Sequence, residues 1–127
     1  MPKPNKALNT ITIDAAGQSL GRVASEVATK LRGKHLVWWR PNVVPSLHLK
    51  VVNVSKLRFS GGKLDSKKYY RFSGYPSGLK LTTLRQEFTK DPVRLFRRVV
   101  AHMLPKNKLN SRFLKNLTII KSDDKLA

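Results

Sequence analysis

The sequence predicts a single α/β domain, and three stretches carry that prediction. Residues 11–14 (ITID) alternate apolar and polar side chains, as a short strand does. A segment with apolar residues at helical spacing follows over 20–31. Residues 47–54 predict another strand, in which Val51 and Val52 are consecutive apolar residues, typical of a central parallel strand buried on both faces. With 127 residues, the chain has the length of one domain with a modest core.

The first predicted helix covers residues 20–31 and has recognisable ends. Ser19 is placed as its N-cap, and Gly33 as the residue that ends it in a left-handed conformation. Lys30 and Arg32 lie in the last turn, where positive charge interacts favourably with the helix dipole. The apolar positions are Leu20, Val23, Ala24, Val27, Ala28 and Leu31.

Two glycine-containing motifs invite comparison with nucleotide-binding sites, and both depart from them. The turn before the first helix has the spacing Gly17-x-x-x-Gly21 instead of GxGxxG, and no acidic residue follows at the distance that would reach a ribose. The string GGK at 61–63 lacks the upstream glycine and the following Ser or Thr of a Walker loop. We interpret the first as a βα unit with a tight turn and the second as a hairpin or tight turn, and we expect no cofactor.

Two helices in the second half of the chain are predicted from their N-terminal residues. Thr83 and Gln86 form a capping box that opens a short helix to about Lys90. Asp91 as N-cap and Pro92 at the first helical position open the next helix. On that helix we predict an apolar stripe and a flanking, arginine-rich stripe. The apolar stripe comprises Val93, Phe96, Val100 and Met103, and the flanking stripe comprises Arg94, Arg97, Arg98 and Ala101.

The end of the chain is assigned from shorter patterns. Asn110 is placed to cap a last short helix over 111–115, and residues 117–120 (LTII) predict a closing strand. The whole chain then divides into a flexible basic N-terminal arm, an α/β domain and a mobile C-terminal tail, at residues 1–10, 11–120 and 121–127.

Charge is the most unusual property of the chain. Twenty-six Lys and Arg residues stand against seven Asp and Glu, a formal net charge of +19. The excess is concentrated in residues 67–115, which hold thirteen basic and two acidic residues. Because self-repulsion of this size destabilises a compact chain, we expect a polyanionic partner that neutralises it.

The composition also argues against several kinds of protein and site. Without cysteine there is no disulfide, no thiolate catalysis and no Cys-ligated zinc. No apolar run approaches the roughly 18 residues of a membrane span. The N-terminal MPKPNKALNT lacks the apolar core of a signal peptide. We therefore expect an intracellular, soluble protein with no membrane partner.

Residues 67–80 (KKYYRFSGYPSGLK) are the stretch on which the functional interpretation depends. They include four basic and four aromatic side chains and no acidic one. A core strand would not bury unpaired charges, and a disordered tail would not carry so many large apolar groups. A loop pressed against RNA accommodates both, because cations contact phosphates, rings stack on bases or sugars, and glycines let the backbone approach. We predict an RNA-binding loop.

Two further basic surfaces are predicted. Lys34, His35 and Arg40 bracket Trp38 and Trp39 after the first helix. We expect one tryptophan ring in the core and the other exposed, with Lys34 and His35 facing phosphate. The arginine-rich stripe of the later helix has no nearby acidic partner in the sequence, which favours phosphate contact over a merely solvated face.

Nothing in the sequence favours catalysis. His35, His48 and His102 are scattered and lack the spacing of a metal site, so structural roles are favoured for the last two. The one close carboxylate pair, Asp123-Asp124, lies in the tail, and no GxSxG motif is present. We expect no enzyme, no metal site and no small-molecule substrate.

Four segments of the chain have the order and spacing of a known family. They are DAAGQSLGRVA at 14–24, LRGKH at 31–35, the stretch 67–80, and MLPKNKL at 103–109. Together they resemble the ribosomal protein L-thirteen family of the large subunit. The resemblance covers about residues 11–120, and its most specific parts are the SGYP string within 67–80 and MLPKNKL.

The resemblance implies a three-layer α/β/α fold around a small, mostly parallel sheet, without enzymatic activity. It implies a structural constituent of the large ribosomal subunit that binds 23S-type rRNA early in assembly, beside neighbouring ribosomal proteins in the cytoplasm. The lack of long extensions favours a bacterial over an organellar ribosome. The expected RNA-binding residues, from the patches above and this resemblance, are Arg22, Lys34, His35, Arg40, Lys67, Lys68, Tyr69, Tyr70, Arg71, Ser73, Gly74, Tyr75, Gly78, Lys80, Arg94, Arg97, Arg98, Lys106, Asn107 and Lys108.

One stretch departs from the family pattern. Residues 42–48 (NVVPSLH) contain no carboxylate where the family usually carries a His-x-Asp-x-Gly-Asp-like sequence, so we assign no site there. Two alternatives stay open from the residues alone: a free-standing RNA- or DNA-binding regulator that uses the same surface, and a nucleotide-using enzyme built on the first βα unit.

Overall fold

Helices and strands are interspersed along the chain, as the α/β prediction requires. The computed structural model describes residues 9–37, 40–45, 47–59 and 61–122. In order, the elements are β1 (Asn9–Asp14), α1 (Leu20–Arg32), β2 (Leu47–Val52), a 3₁₀ turn (Val54–Lys56), α2 (Lys63–Ser66), β3 (Lys68–Phe72), β4 (Leu79–Thr83), α3 (Leu84–Lys90), α4 (Pro92–Met103), α5 (Asn110–Lys115) and β5 (Leu117–Ile119). The α/β class of a single domain is confirmed.

Three parallel strands form the main sheet, in the order β1-β2-β5. β2 is the central strand, and Val51 and Val52 are both buried, as predicted. The strand ends before residue 54, the predicted end, because Asn53 adopts a left-handed conformation with φ 61° and Val54 begins the 3₁₀ turn. The closing strand predicted over 117–120 is confirmed as β5.

One face of this sheet is covered by helices and forms the core. Leu49 and Val51 of β2 share an apolar cluster with Val27 of α1, Phe96 of α4 and Phe113 of α5. The crossover from β1 to β2 runs through α1, as in other βα units. The fold therefore places α1 and α4 side by side on the sheet, with their outer surfaces available to a partner.

The opposite face of the same strands is polar except at the end of β2, where Val52 is buried. Thr12, His48, Lys50 and Thr118 alternate with the buried residues and are half-buried or exposed. His48 Nε2 and the Thr118 hydroxyl oxygen are 2.7 Å apart, so this histidine is engaged in a contact between neighbouring strands. The structural role predicted for it is confirmed.

The predicted ends of α1 are confirmed. Ser19 takes the extended N-cap conformation, although its side chain makes no capping hydrogen bond. Gly33 ends the helix with φ 77°, and its N–H donates to the carbonyl oxygen of Lys30 at 3.0 Å. A Cβ atom at Gly33 would lie 3.0 Å from Cγ of Pro45. Both the backbone conformation and the packing therefore call for glycine here.

The caps of α3 and α4 also follow the prediction. Gln86 N–H donates to the Thr83 hydroxyl at 3.3 Å, and Thr83 N–H donates to the Gln86 side-chain oxygen at 3.1 Å, which completes the capping box. Asp91 accepts from the Arg94 N–H at 3.2 Å, with Pro92 as the first residue of α4. The turn at 61–62 leads into α2, so the tight-turn alternative is confirmed and the hairpin alternative there is wrong.

The apolar stripe predicted for α4 is partly wrong. Phe96 and Val100 are buried as expected, but Leu95 is buried as well and Met103 is 40% exposed. Val93 is only half-buried. A single stripe assumes one packing partner, whereas α4 packs against both α1 and α3, which rotates and widens its buried arc.

Asn110 does not cap α5 as predicted. It is the first residue of the helix, and its side-chain amide donates to the carbonyl oxygens of Ala101 at 3.1 Å and Pro105 at 3.3 Å. The amide thus ties α5 to the end of α4, where backbone acceptors are left without helical partners.

Of the predicted N-terminal arm, 1–10, the last two residues, Asn9 and Thr10, belong to β1. Residues 1–8, Trp38, Trp39 and residues 123–127 of the predicted tail lie outside the described residues, so the predictions made for them stay predictions.

Asp14 connects the ends of β1 and β2. Its Oδ1 accepts from the side-chain amide of Asn53 at 2.9 Å and from the N–H of Ala16 at 2.9 Å. These hydrogen bonds hold the pKa of Asp14 below its ordinary value of 3.8. The bond from Asn53 lowers it most, the bond from Ala16 lowers it less, and the charge of Lys56 makes a smaller contribution.

We expect Gly33→Ala to lower the free energy of unfolding by about 1–2 kcal/mol, because a side chain is strained in the left-handed conformation and the new methyl group would press on Pro45. Urea unfolding measures this. Gly21→Ala is the matched control, since Gly21 lies in α1 with open space around its Cβ position. Alanine there should leave stability unchanged or raise it by up to about 1 kcal/mol. Equal effects of the two substitutions would contradict this account.

We expect Asp14→Asn to lower the stability near neutral pH and to weaken its dependence on acid. The pKa of Asp14 is lowered in the folded state, so its stabilising contribution is present above 3.8 and is lost as the pH falls below that value. Urea unfolding at a series of acidic pH values checks this. In an Asn53→Gly background, which keeps the backbone conformation and removes the amide donor, Asp14→Asn should have a smaller effect; an undiminished effect would exclude this hydrogen bond as the cause.

Candidate nucleic-acid interface

Residues 67–80, predicted as a loop, form an antiparallel hairpin. β3 pairs with β4 in the register Tyr69↔Thr82 and Arg71↔Lys80, and residues 73–78 form the tip. The cost of burying unpaired charge excludes a core strand here, as predicted, but it does not exclude a strand that stays in solvent. This hairpin projects into solvent, so its strands carry basic residues without burying them.

The tip of the hairpin is held by a small set of backbone contacts. Gly78 N–H donates to the carbonyl oxygen of Tyr75 at 2.9 Å, and Ser73 N–H donates to that of Gly78 at 3.2 Å. A Cβ atom at Gly78 would collide with the Ser73 hydroxyl and lie 2.9 Å from the Tyr75 oxygen. The glycine is needed for this close approach, and the closed turn leaves the Tyr75 side chain 75% exposed.

The alternation of side chains gives the hairpin two chemically different faces. The basic hairpin face comprises Tyr69, Arg71, Lys80 and Thr82. The apolar hairpin face comprises Tyr70, Phe72, Leu79 and Leu81, paired directly across the two strands. Each of the four apolar side chains is more than half exposed. Phe72, Leu79 and Leu81 were not among the predicted binding residues, although the alternation Leu79-Lys80-Leu81 is a strand pattern that could have identified them.

Tyr69 connects the hairpin to α4. Its ring is half-buried, with the Arg98 guanidinium carbon 5.5 Å and the Lys67 Nζ 5.8 Å from the ring centroid. Such cation–π contacts orient the ring and bring Arg98 beside the base of the hairpin. Burial raises the pKa of the Tyr69 hydroxyl, which the positive charge of Arg98 partly opposes and Glu87 reinforces.

The Tyr69 hydroxyl is buried and has no hydrogen-bond partner among the described residues. A buried hydroxyl without a partner is destabilising. The position of this ring therefore favours a structural role, the anchoring of the hairpin on α4, over direct stacking on a nucleotide.

Most carboxylates of the described residues are engaged within the fold. Glu26 pairs with Lys30 at 2.9 Å, and Asp65 accepts from Arg85 at 2.9 and 3.2 Å. Asp91 caps α4, and Asp14 joins two strand ends. No carboxylate lies within 4.0 Å of the hairpin cations in the part of the chain that the structure describes. Their charge is therefore uncompensated and available to phosphate.

The other predicted binding residues lie on the α1 and α4 side of the fold. Arg94 and Arg97 are exposed along α4. The turn after α4 is ordered by Asn107, whose side-chain oxygen accepts from the Leu109 N–H at 3.0 Å, so it presents Lys106 and Lys108 to solvent.

The predicted residues differ little in exposure. Only Tyr69, Gly78 and Arg98 are half-buried. The exposed ones are Arg22, Lys34, His35, Arg40, Lys67, Lys68, Tyr70, Arg71, Ser73, Gly74, Tyr75, Lys80, Arg94, Arg97, Lys106, Asn107 and Lys108. Direct contacts join Lys67, Tyr69 and Arg98. Lys68, Arg71 and Lys80 lie on the hairpin strands, and the other cations lie on α1, on α4 or in the segments that follow them.

Across residues 9–37, 40–45, 47–59 and 61–122, no three His, Asp or Glu side chains are grouped so that they could hold a metal ion. Within the same ranges, no helix has both the length and the apolar character that crossing a membrane requires.

Comparison with known proteins gives a consistent result. The family model described as Ribosomal protein L13 matches residues 8–125. The chain is 44% identical over 114 residues to the large ribosomal subunit protein uL13 of Thermus thermophilus, covering 90% of this chain and 81% of that protein. It is 44% identical over 112 residues to uL13 of Aquifex aeolicus (88% and 78%) and 42% identical over 125 residues to uL13 of Geobacillus kaustophilus (98% and 86%).

We expect Tyr69→Phe to raise the free energy of unfolding by about 1 kcal/mol, because it removes a buried hydroxyl without a partner and keeps the ring beside Arg98. Chemical denaturation measures the change. Tyr70→Phe is the matched control: its side chain is 66% exposed, so the change should stay within about 0.5 kcal/mol. Destabilisation by Tyr69→Phe would show that the hydroxyl is bonded in solution.

Proposed function

Because the chain belongs to the ribosomal protein L13 family, we propose that it is a structural constituent of the large ribosomal subunit that binds large-subunit, 23S-type rRNA and supports early subunit assembly. The family is structural and non-enzymatic. On this proposal the protein works in the cytoplasm, within the ribosome and beside other large-subunit proteins. Residues 11–120 form the RNA-binding unit, and the hairpin over 67–80 is its main contact.

The observation that carries the proposal is the exposed hairpin with uncompensated cations. Lys68, Arg71 and Lys80 extend into solvent from strands whose geometry is set by the ladder and the closed tip. Contacts between such cations and phosphates release counterions and supply most of the affinity for nucleic acid. The partner also relieves the self-repulsion that accompanies a net charge of +19.

The arginines of α4 extend this surface. Arg98 is held beside the hairpin by its contact with the Tyr69 ring, and Arg94 and Arg97 are exposed on the same helix. Arginine has a planar fork of donors that matches phosphate oxygens, so a fixed arginine contributes geometry as well as charge. We assign these side chains, with Lys106 and Lys108, to the rRNA backbone. Specificity then comes mainly from the shape of the folded RNA.

Arg22, Lys34, His35 and Arg40 complete the proposed surface. They are exposed at or near the two ends of α1. The ordered turn that contains Asn107 follows α4. The sulfur of Met103, the last residue of α4, accepts a hydrogen bond from the Ser25 hydroxyl of α1 at 3.5 Å. One continuous fold thus supports contacts with several RNA segments, as a protein that holds rRNA helices together requires.

We expect simultaneous substitution of Lys67, Lys68, Arg71 and Lys80 by alanine to abolish stable association with 23S-type rRNA. The slope of log affinity against log salt should fall by about 3, since each neutralised phosphate contributes about 0.7–0.9 to it. Equilibrium binding to the isolated rRNA between about 50 and 200 mM salt measures both quantities.

The matched control replaces four exposed cations outside the proposed surface by alanine: Lys56, Arg58, Lys90 and Lys115. It removes the same total charge, so a smaller loss of affinity shows that position matters as well as net charge. Unchanged binding and an unchanged salt slope in the hairpin variant would refute the proposed contact.

A further inference from the structure

The apolar hairpin face is the most conspicuous surface that the electrostatic account leaves unexplained. Tyr70, Phe72, Leu79 and Leu81 are 66%, 70%, 55% and 54% exposed, and the register makes them one contiguous patch. Grouped large apolar side chains in water usually mark a binding surface. Leaving these side chains exposed does not stabilise a two-stranded hairpin.

The spacing of the patch suits separated flat groups. Tyr70 and Phe72 are at alternate positions of β3, so they are about 6.8 Å apart along the strand, which is twice the roughly 3.4 Å between stacked bases. Two bases that each rest on one ring cannot also remain stacked on each other. Paired aromatics on an exposed sheet serve RNA-binding domains in this way, as platforms for splayed bases.

The charges around the patch indicate the chemistry of the partner molecule to which those flat groups belong. Lys68 is on the same face as Tyr70, and Arg71 and Lys80 are on the reverse of the same strands. The sequence between Asp65 and Glu87 contains no acidic residue. A partner must therefore combine apolar planar groups with closely spaced negative charge.

We propose that the apolar hairpin face is a stacking platform for unpaired bases of a single-stranded RNA segment. The inference rests on the proposed function and deepens it: the rings take bases, while the cations of the basic hairpin face and Lys68 take the phosphates of the same strand. It adds Phe72, Leu79 and Leu81 to the binding residues. Each leucine lies directly opposite a ring on the neighbouring strand and extends the apolar surface beside that ring.

A second protein is the less fitting occupant. The cores of protein interfaces are depleted in charged residues, particularly lysine. Here the apolar face is one side of a ribbon only two strands wide whose other side and edges are basic, so a protein covering it would have to neutralise or bury those cations as well.

The test uses the full chain and a short, mixed-sequence single-stranded RNA, with the same RNA annealed to its complement for comparison. The key variant carries Tyr70→Leu and Phe72→Leu, which keeps apolar area and removes the aromatic faces. We expect it to bind the single strand about tenfold more weakly for each ring lost. The ratio to wild type should persist at high salt, because stacking does not depend on counterion release.

Crosslinking locates the contact. RNA substituted with 5-iodouridine should crosslink to Tyr70 or Phe72 on irradiation, with the site read by mass spectrometry of the peptides. Phe59 is the internal control, because its ring packs edge-to-face on Phe88 with centroids 5.0 Å apart and should not react. Circular dichroism and thermal unfolding confirm that the leucine variant is folded.

The outcomes separate this inference from the proposed function. If the single strand binds with a steep salt slope but the leucine variant binds equally well and no ring crosslinks, the stacking platform is wrong and the proposed function is left intact. Equal binding of single-stranded and duplex RNA would also overturn it. If neither the short RNA nor 23S-type rRNA binds the wild-type chain, the proposed function itself fails.

Discussion

Electrostatic repulsion among the cations is the constraint on which the rest of this structure depends. A chain with a net charge of +19 can fold only if its cations stay in solvent and its core excludes charge. Both conditions are met: the buried cluster is apolar, and the hairpin cations are exposed. Asp14 and Asp91 each satisfy backbone or amide donors, so they stabilise the fold without neutralising the basic surface.

The hairpin satisfies this constraint locally. A strand places successive side chains on opposite faces, so a segment that mixes cations and rings can separate them without burying either. Tyr69 is the exception, because its ring lies under the guanidinium of Arg98 of α4. This contact fixes the position of a two-stranded hairpin that would be only marginally stable by itself. Gly78 closes the tip at a distance that no side chain would allow. Charge, ring geometry and rigidity are thus combined in fourteen residues of sequence, 67–80.

The elements that sequence analysis predicted well are those with local causes. The ends of α1 and the capping box of α3 depend on residues three or four apart, and the buried strand β2 depends on its own run of apolar residues. The errors have long-range causes. Leu95 is buried because α4 packs against more than one helix, and Asn110 bonds to the preceding helix instead of capping its own. Residue spacing within one segment carries no information on either contact.

The same division applies to the proposed binding surface. The sequence alone determined its composition and charge, because the number of cations and rings in 67–80 and the scarcity of acidic residues do not depend on folding. Only the tertiary structure decided which side chains share a face, since pairing β3 with β4 sets Phe72 opposite Leu79 and Arg71 opposite Lys80. Strand register depends on how two separate segments pair, which the residues of either segment alone do not specify, and a shift by one position would exchange the two faces.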